Sequence, residues 1–143
     1  MAIPAIDDPA RRVVVVPLVL VPTLKTTDTW SYTTGGAVIP AAILRQRNER
    51  VVAWFGGTIY VVEDGGIGEA QPFFYTPDTY RHVELPALAI RSDTKGRQAY
   101  IAGPFDVTTK MPNGTLLGVR AGARSVGGLE VSFFHLTLTF MVQ

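Results

Sequence analysis

Apolar residues run through this chain in short stretches, mostly β-branched or aromatic, and nearly every stretch is closed by Gly, Pro, Asn or Asp. Runs of that length and type, punctuated that way, predict strands and turns. The clearest unit is Val51-Val52-Ala53-Trp54-Phe55, then Gly56-Gly57, then Thr58-Ile59-Tyr60-Val61-Val62. Two glycines between two such runs predict a hairpin with a type I′ turn, because glycine reaches the positive φ that both central positions require. Asn113-Gly114 predicts a second turn of that kind, between residues 107–109 and 115–117, and Lys95-Gly96 a third and longer one, joining 87–91 to 98–102. Further strands are predicted at 13–21 and 29–33, and the strand entering the second turn starts as early as Phe105, after Pro104.

Two stretches depart from the scheme. In residues 39–47, Pro40 precedes several good helix formers and suits a first helical turn, so a short helix competes there with strand. Residues 72–79 contain Phe73-Phe74-Tyr75 followed by Thr76-Pro77-Asp78 and read as a long connection pinned by aromatics.

The C-terminal run carries a size argument. Residues 129–142 contain no breaker over fourteen residues, which extend about 46 Å at the usual rise per residue, whereas a compact domain of this length is about 37 Å across. The strand must therefore bend, bulge or leave the body. Alternation puts Phe134, Leu136, Leu138, Phe140 and Val142 on one side, expected in the core. Val131, Phe133, His135, Thr137, Thr139 and Met141 fall on the other, suited to a partner or a half-wet face. At the opposite end, residues 2–9 lack a regular period and contain Pro4 and Pro9, which fits an extended arm over residues 1–12 ahead of a single β domain at 13–143. The expected fold is all-β: an antiparallel β-barrel or jelly-roll-like sandwich with an N-terminal arm and a long C-terminal strand.

Composition adds a reason to look for partners. Charged residues make up 17% of the chain and hydrophobic ones 47%, against about 25% charged in an ordinary soluble domain, and a small body needs proportionately more polar covering than a large one. Other copies of the chain, or an assembly, are expected to cover the excess. The net charge of +1 is far below the footprint of a phosphate-gripping protein, so nucleic acid is not an expected partner. The apolar stretch 13–24 is too short to span a bilayer and is interrupted by Pro17 and Pro22, and Asp7 and Asp8 spoil a basic leader, so neither a membrane span nor a signal peptide is expected.

Candidate chemistry is sparse. The chain has no cysteine and two histidines, which removes thiolate nucleophiles, sulfur-ligated zinc and three-histidine metal sites. His82 and Glu84 lie two apart in an apparent strand and project to one side, yet the deaminase pattern they resemble needs a later cysteine pair. No serine stands in a Gly-x-Ser-x-Gly elbow, and Asp64-Gly65-Gly66-Ile67-Gly68 lacks the lysine of a phosphate loop. An enzyme is not expected, and no cofactor or metal.

The contacts of an assembly would fall to Ile3, Ile6, Arg11 and Arg12 of the arm, to Arg45 and Arg47 of a basic cluster suited to pairing carboxylates, and to Phe133, His135 and Met141 of the terminal strand. An alternative use of the aromatics is a sugar-stacking platform built from Trp30, Tyr32, Trp54 and Tyr60, which would make the chain a carbohydrate-binding module such as a lectin or tail-fibre tip.

Cysteine-free, near neutral, rich in Val, Thr, Gly and Pro, with an arm-like residues 1–12 and an apolar terminal strand, the chain resembles in general character the small all-β structural proteins of tailed bacteriophage virions, especially capsid decoration or cement proteins. The resemblance implies a β-barrel or jelly-roll body, often a homotrimer, that binds the major capsid protein or another virion protein and reinforces the shell. It places the protein on the capsid surface, and in the cytoplasm before assembly.

Overall fold

The computed structural model describes residues 12–18, 30–33, 37–44, 50–126, 129 and 131–143. Among the described residues, ten strands and one α-helical turn follow one another as β1 (Arg12–Pro17), β2 (Ser31–Tyr32), β3 (Ala37–Pro40), α1 (Ala41–Leu44), β4 (Val51–Val61), β5 (Ile67–Tyr75), β6 (His82–Glu84), β7 (Ile90–Ser92), β8 (Gly96–Asp106), β9 (Leu116–Val126) and β10 (Val131–Val142). A 3-10 turn, Pro86–Leu88, separates β6 from β7.

All pairings are antiparallel and fall into two sheets. The first has the order β1-β10-β4-β8 and the second β2-β9-β5-β6, with β3 also on β9 and β7 also on β5. Because β2 and β3 pair with successive parts of β9, and β6 and β7 with opposite ends of β5, each couple is one interrupted edge strand. The second sheet thus has four strand positions, like the first. Two four-stranded sheets wound this way are a jelly roll, in which the long connections of two Greek keys pass between the sheets. Of the two expected architectures, the sandwich is the one formed.

The core lies between the sheets. Phe55, Ile59 and Val61 of β4, Leu138 and Phe140 of β10, Leu117 and Val119 of β9 and Phe74 of β5 are all fully buried. Phe74 and Phe140 stack across the gap with centroids 5.8 Å apart. Ala41 and Leu44 of α1 are buried too, and the Ala41 N–H donates to the Thr115 carbonyl at 2.9 Å, so the helical turn closes one end of the sandwich. Of the range 39–47, where helix and strand compete, strand runs to Pro40 and helix over Ala41–Leu44, and residues 45–47 lie outside the described residues.

Three turn expectations are corrected. Gly56 and Gly57 are not a hairpin turn, because β4 runs straight through them and neither has a positive φ. Gly57 lies opposite a bulge in β10, and a Cβ there would overlap the Leu136 side chain, so the residue is glycine for close approach. Gly96 and Gly114 do have positive φ and do mark turns. The strands they join belong to opposite sheets: β7 pairs with β5 while β8 pairs with β4, and β9 has no pairing with β8. They are passages between sheets, and the expected hairpins are absent. The hairpin that does form joins β5 to β6, with Tyr75 opposite His82.

Residues 72–79 are corrected as well, since Pro72 to Tyr75 belong to β5 and only the following few residues turn. Proline is tolerated inside this strand because the edge strand beside it is broken there. The Pro72 carbonyl accepts from the Leu85 N–H at 3.1 Å, where β6 has ended and β7 has not begun, so the missing N–H of Pro72 faces that gap.

The terminal strand bulges, one of the outcomes its length requires. Register shifts between Phe134 and Thr137, and His135 takes φ +55. The bulge changes which residues face inward: Val131 and Phe133 are buried on one side of it, and Leu136, Leu138, Phe140 and Val142 on the other. Phe134, expected in the core, is instead half-buried, with the Arg97 guanidinium 4.9 Å from its ring centre.

Candidate functional site

Each sheet turns one face to the core and one outward, and the two outer faces are built differently. On the first sheet the outward positions are Val13, Val15 and Pro17 of β1, Thr137, Thr139 and Met141 of β10, Val52, Trp54, Thr58 and Tyr60 of β4, and Arg97, Ala99 and Ile101 of β8. Val13 is 65% exposed, Val15 59% and Ile101 75%. Arg97 stands near one end of the face, as the second residue of β8, and its guanidinium lies over Phe134 and, at 5.9 Å, Tyr60. At the end of the face Arg50 stands 3.9 Å from Asp106. The Asp106 carboxyl is held below its ordinary range by hydrogen bonds from Thr108, side chain first and then the backbone N–H at 2.9 Å, with a smaller contribution from Arg50.

The second sheet's outer face is ordered in rows across the strands. Trp30, Arg124, Glu69 and Arg91 form one row, with the Arg124 guanidinium 4.6 Å from the Trp30 ring centre. Glu69 receives Arg124 at 2.8 Å on one oxygen and Arg91 at 3.1 Å on the other. Tyr32, Gly122 and Gln71 form the next, and Arg120, Phe73 and Glu84 the third. Beyond these, Tyr75 lies across Gly118, where a Cβ would overlap its ring, with Arg120 5.2 Å from the ring centre.

Gly122 contributes no side chain between the flanking arginine rows. A shallow depression opens there, lined by Trp30, Tyr32, Gln71, Phe73, Glu84 and Gly122. Tyr32 stands edge-on to Phe73 at 5.4 Å, and His82 packs 4.6 Å from the Phe73 ring. A Cβ on Gly122 would come within 3.1 Å of the Trp30 ring and 3.4 Å of Tyr32, so glycine lets both rings lie close to the sheet.

Of the residues expected at an assembly interface, Ile3, Ile6, Arg11, Arg45 and Arg47 lie outside the described residues. Arg12 opens β1 opposite Val142. Met141 is on the first sheet's outer face between Val13 and Val52, and His135 is exposed at the bulge. Phe133 is corrected: at 6% exposure it is part of the core, on the inward side of the bulge. The four-ring platform is corrected too. Trp30 and Tyr32 stand on the second sheet, Trp54 and Tyr60 on the first, so the sandwich separates them.

Sequence reasoning missed Val13, Val15 and Ile101 as surface residues. Four consecutive valines, Val13 to Val16, give alternation nothing to choose between, and Ile101 between Tyr100 and Ala102 looks equally apolar on both sides. It also missed Gln71 and Phe73 as companions of Trp30 and Tyr32, and it set aside His82 and Glu84, which fall beside Phe73. Among the described residues, no cluster of His, Asp and Glu is placed to hold a metal ion.

No protein-family model matches the chain, and no characterised protein matches it in sequence. Its fold is similar to that of a chain in the Gt strain of infectious bursal disease virus, with TM-score 0.50 and 12% identity over 93% of this chain and 33% of that one. A chain of the Gx strain of the same virus gives TM-score 0.45 and 14% identity, over 93% and 32%. The protein thus spans about a third of the length of the chains it matches, and its likeness to the Gt-strain chain is one of fold alone.

Proposed function

We propose that the protein is a non-enzymatic structural component of a virus particle, self-associating through the outer face of its first sheet. The observation that carries this reading is the face itself: four strands wide, with exposed Val13, Val15 and Ile101 around Trp54 and Met141 and its charged side chains, Arg97 and Asp106, towards the strand ends. Contiguous apolar area of that kind marks an interaction surface. The jelly-roll fold it shares with a chain of a virus particle supports the same reading.

Burying the exposed parts of Val13, Val15 and Ile101 contributes about 1–2 kcal/mol each. Association costs about 4–15 kcal/mol in lost rigid-body freedom, so those three residues do not suffice alone. The breadth of the face and its repetition around a closed symmetric assembly make up the difference. In its finer form the reading is a homotrimer on the capsid surface, a decoration or cement protein whose partners are its own copies and the shell protein beneath. The arm laid on a neighbour is then the segment that precedes Arg12, which itself belongs to β1.

Multi-angle light scattering tests the central claim. At micromolar concentration the expected mass is a multiple of 15.5 kDa, three subunits in the trimeric form. Val15→Asp combined with Ile101→Asp is expected to reduce it to a single subunit with an unchanged circular dichroism spectrum. A monomeric wild type, or a doubly substituted protein that keeps the wild-type mass, sinks the reading.

A further inference from the structure

We propose that the depression over Gly122, on the second sheet's outer face, binds a neutral saccharide. The site is independent of the self-association face, which belongs to the other sheet, so it remains open when copies assemble through the first.

The chemistry of the lining carries the inference. A pyranose has an apolar face of C–H groups and a rim of hydroxyls, and it is held by an aromatic ring beneath the one and fixed acceptors and donors around the other. Here Tyr32, 49% exposed, supplies the ring, with Trp30 beside it and Phe73 behind. Gln71 offers an amide donor and acceptor and Glu84 a carboxylate that accepts from two hydroxyls. Neither side chain is engaged by another described residue, and both line the depression. The two rings are held in advance: Trp30 by Arg124 and the bare backbone of Gly122, Tyr32 by its edge-on contacts with Phe73 and His82. Such preorganisation lowers the ordering cost of binding.

Charge selects among ligands that stack on aromatics. The nearby Arg124 and Arg91 are both committed to Glu69, Arg120 holds its guanidinium over the Tyr75 ring of the next row, 5.2 Å from its centre, and Glu84 is the charged group in the lining. A phosphate-bearing strand would meet the Glu84 carboxylate where it needs a cation, and an acidic sugar would be repelled in the same way. A neutral sugar fits both the rings and the carboxylate.

The experiment uses the indole N–H resonances. The chain has two tryptophans, one on each outer face, and Trp30→Phe assigns their signals. The full-length protein is titrated with chitotriose, maltotriose and lactose. For at least one of them the Trp30 signal is expected to shift saturably in the millimolar range while the Trp54 signal stays in place, and Glu84→Gln is expected to weaken that binding about tenfold, equivalent to about 1.4 kcal/mol. Glu84 is exposed on a short edge strand, and an unchanged melting temperature shows that its variant is folded. The proposal is overturned if none of the three sugars moves the Trp30 signal, or if both indoles respond alike. Binding to Glu84→Gln as tight as to wild type overturns it too, as does a Trp30 shift with oligothymidylate and with none of the sugars.

Discussion

The two outer faces of this sandwich use similar ingredients to opposite ends. On the second sheet each large ring has local company: Trp30 and Tyr75 have arginines near their rings, Tyr75 lies over Gly118, and Phe73 is walled by Tyr32 and His82. Its central carboxylate, Glu69, is saturated by two arginines. On the first sheet, Val13, Val15 and Ile101 stand at high exposure with no such furnishing among the described residues. A face that satisfies itself can afford shape, including a recess where one side chain is missing. A face that does not is the one for which we propose a partner.

The comparison can be broken at several points. The largest effect is expected at Gly118, where Gly118→Ala must expel the Tyr75 ring and cost about 1–3 kcal/mol of stability, while Ile101→Ser on the other face changes the monomer by about 0.5 kcal/mol or less. Urea melts of the two variants, each compared with its parent chain at a dilution where light scattering finds a single subunit, would contradict the contrast if the losses were equal. Glu69→Ala comes next. It leaves Arg91 and Arg124 facing each other without their shared acceptor, and because the ion pairs are partly solvated the expected loss is about 1 kcal/mol, shrinking as salt is added. A loss unaffected by salt would mean that packing rather than charge orders the second face.

The smallest effect is at the rim of the first face. The folded Asp106 carboxyl titrates below its ordinary value of 3.8, so its contribution is present above that pH and lost as pH falls through the folded value. Asp106→Asn is therefore expected to lower the melting temperature slightly at neutral pH and to converge with wild type in acid. A constant offset across the range would assign the effect to geometry.

Much of the fold was legible because strand signals are local. The β-branched runs, the Gly96 and Gly114 turns and the overlong terminal strand all follow from chain stiffness and side-chain alternation. What was not legible depends on which strand lies beside which. The pair Gly56-Gly57 has the composition of a hairpin turn, and only the β10 bulge opposite explains why glycine sits in mid-strand. Turns between sheets have the same residues as turns within one, so Gly96 and Gly114 could not reveal that their flanking strands part company. The candidate site shares this fate. Tyr32, Gly122 and Gln71 are widely separated in sequence, and cross-strand register alone brings them into one row.

The pleat of β10 resumes beyond His135 as though that residue were not there. Phe133 points in and Phe134 out before it, Leu136 in and Thr137 out after it, so the chain could be shortened by this one residue without any neighbour trading core for solvent. What the supernumerary residue contributes is curvature, which lets a strand longer than a compact body's usual width follow its outline instead of overshooting it.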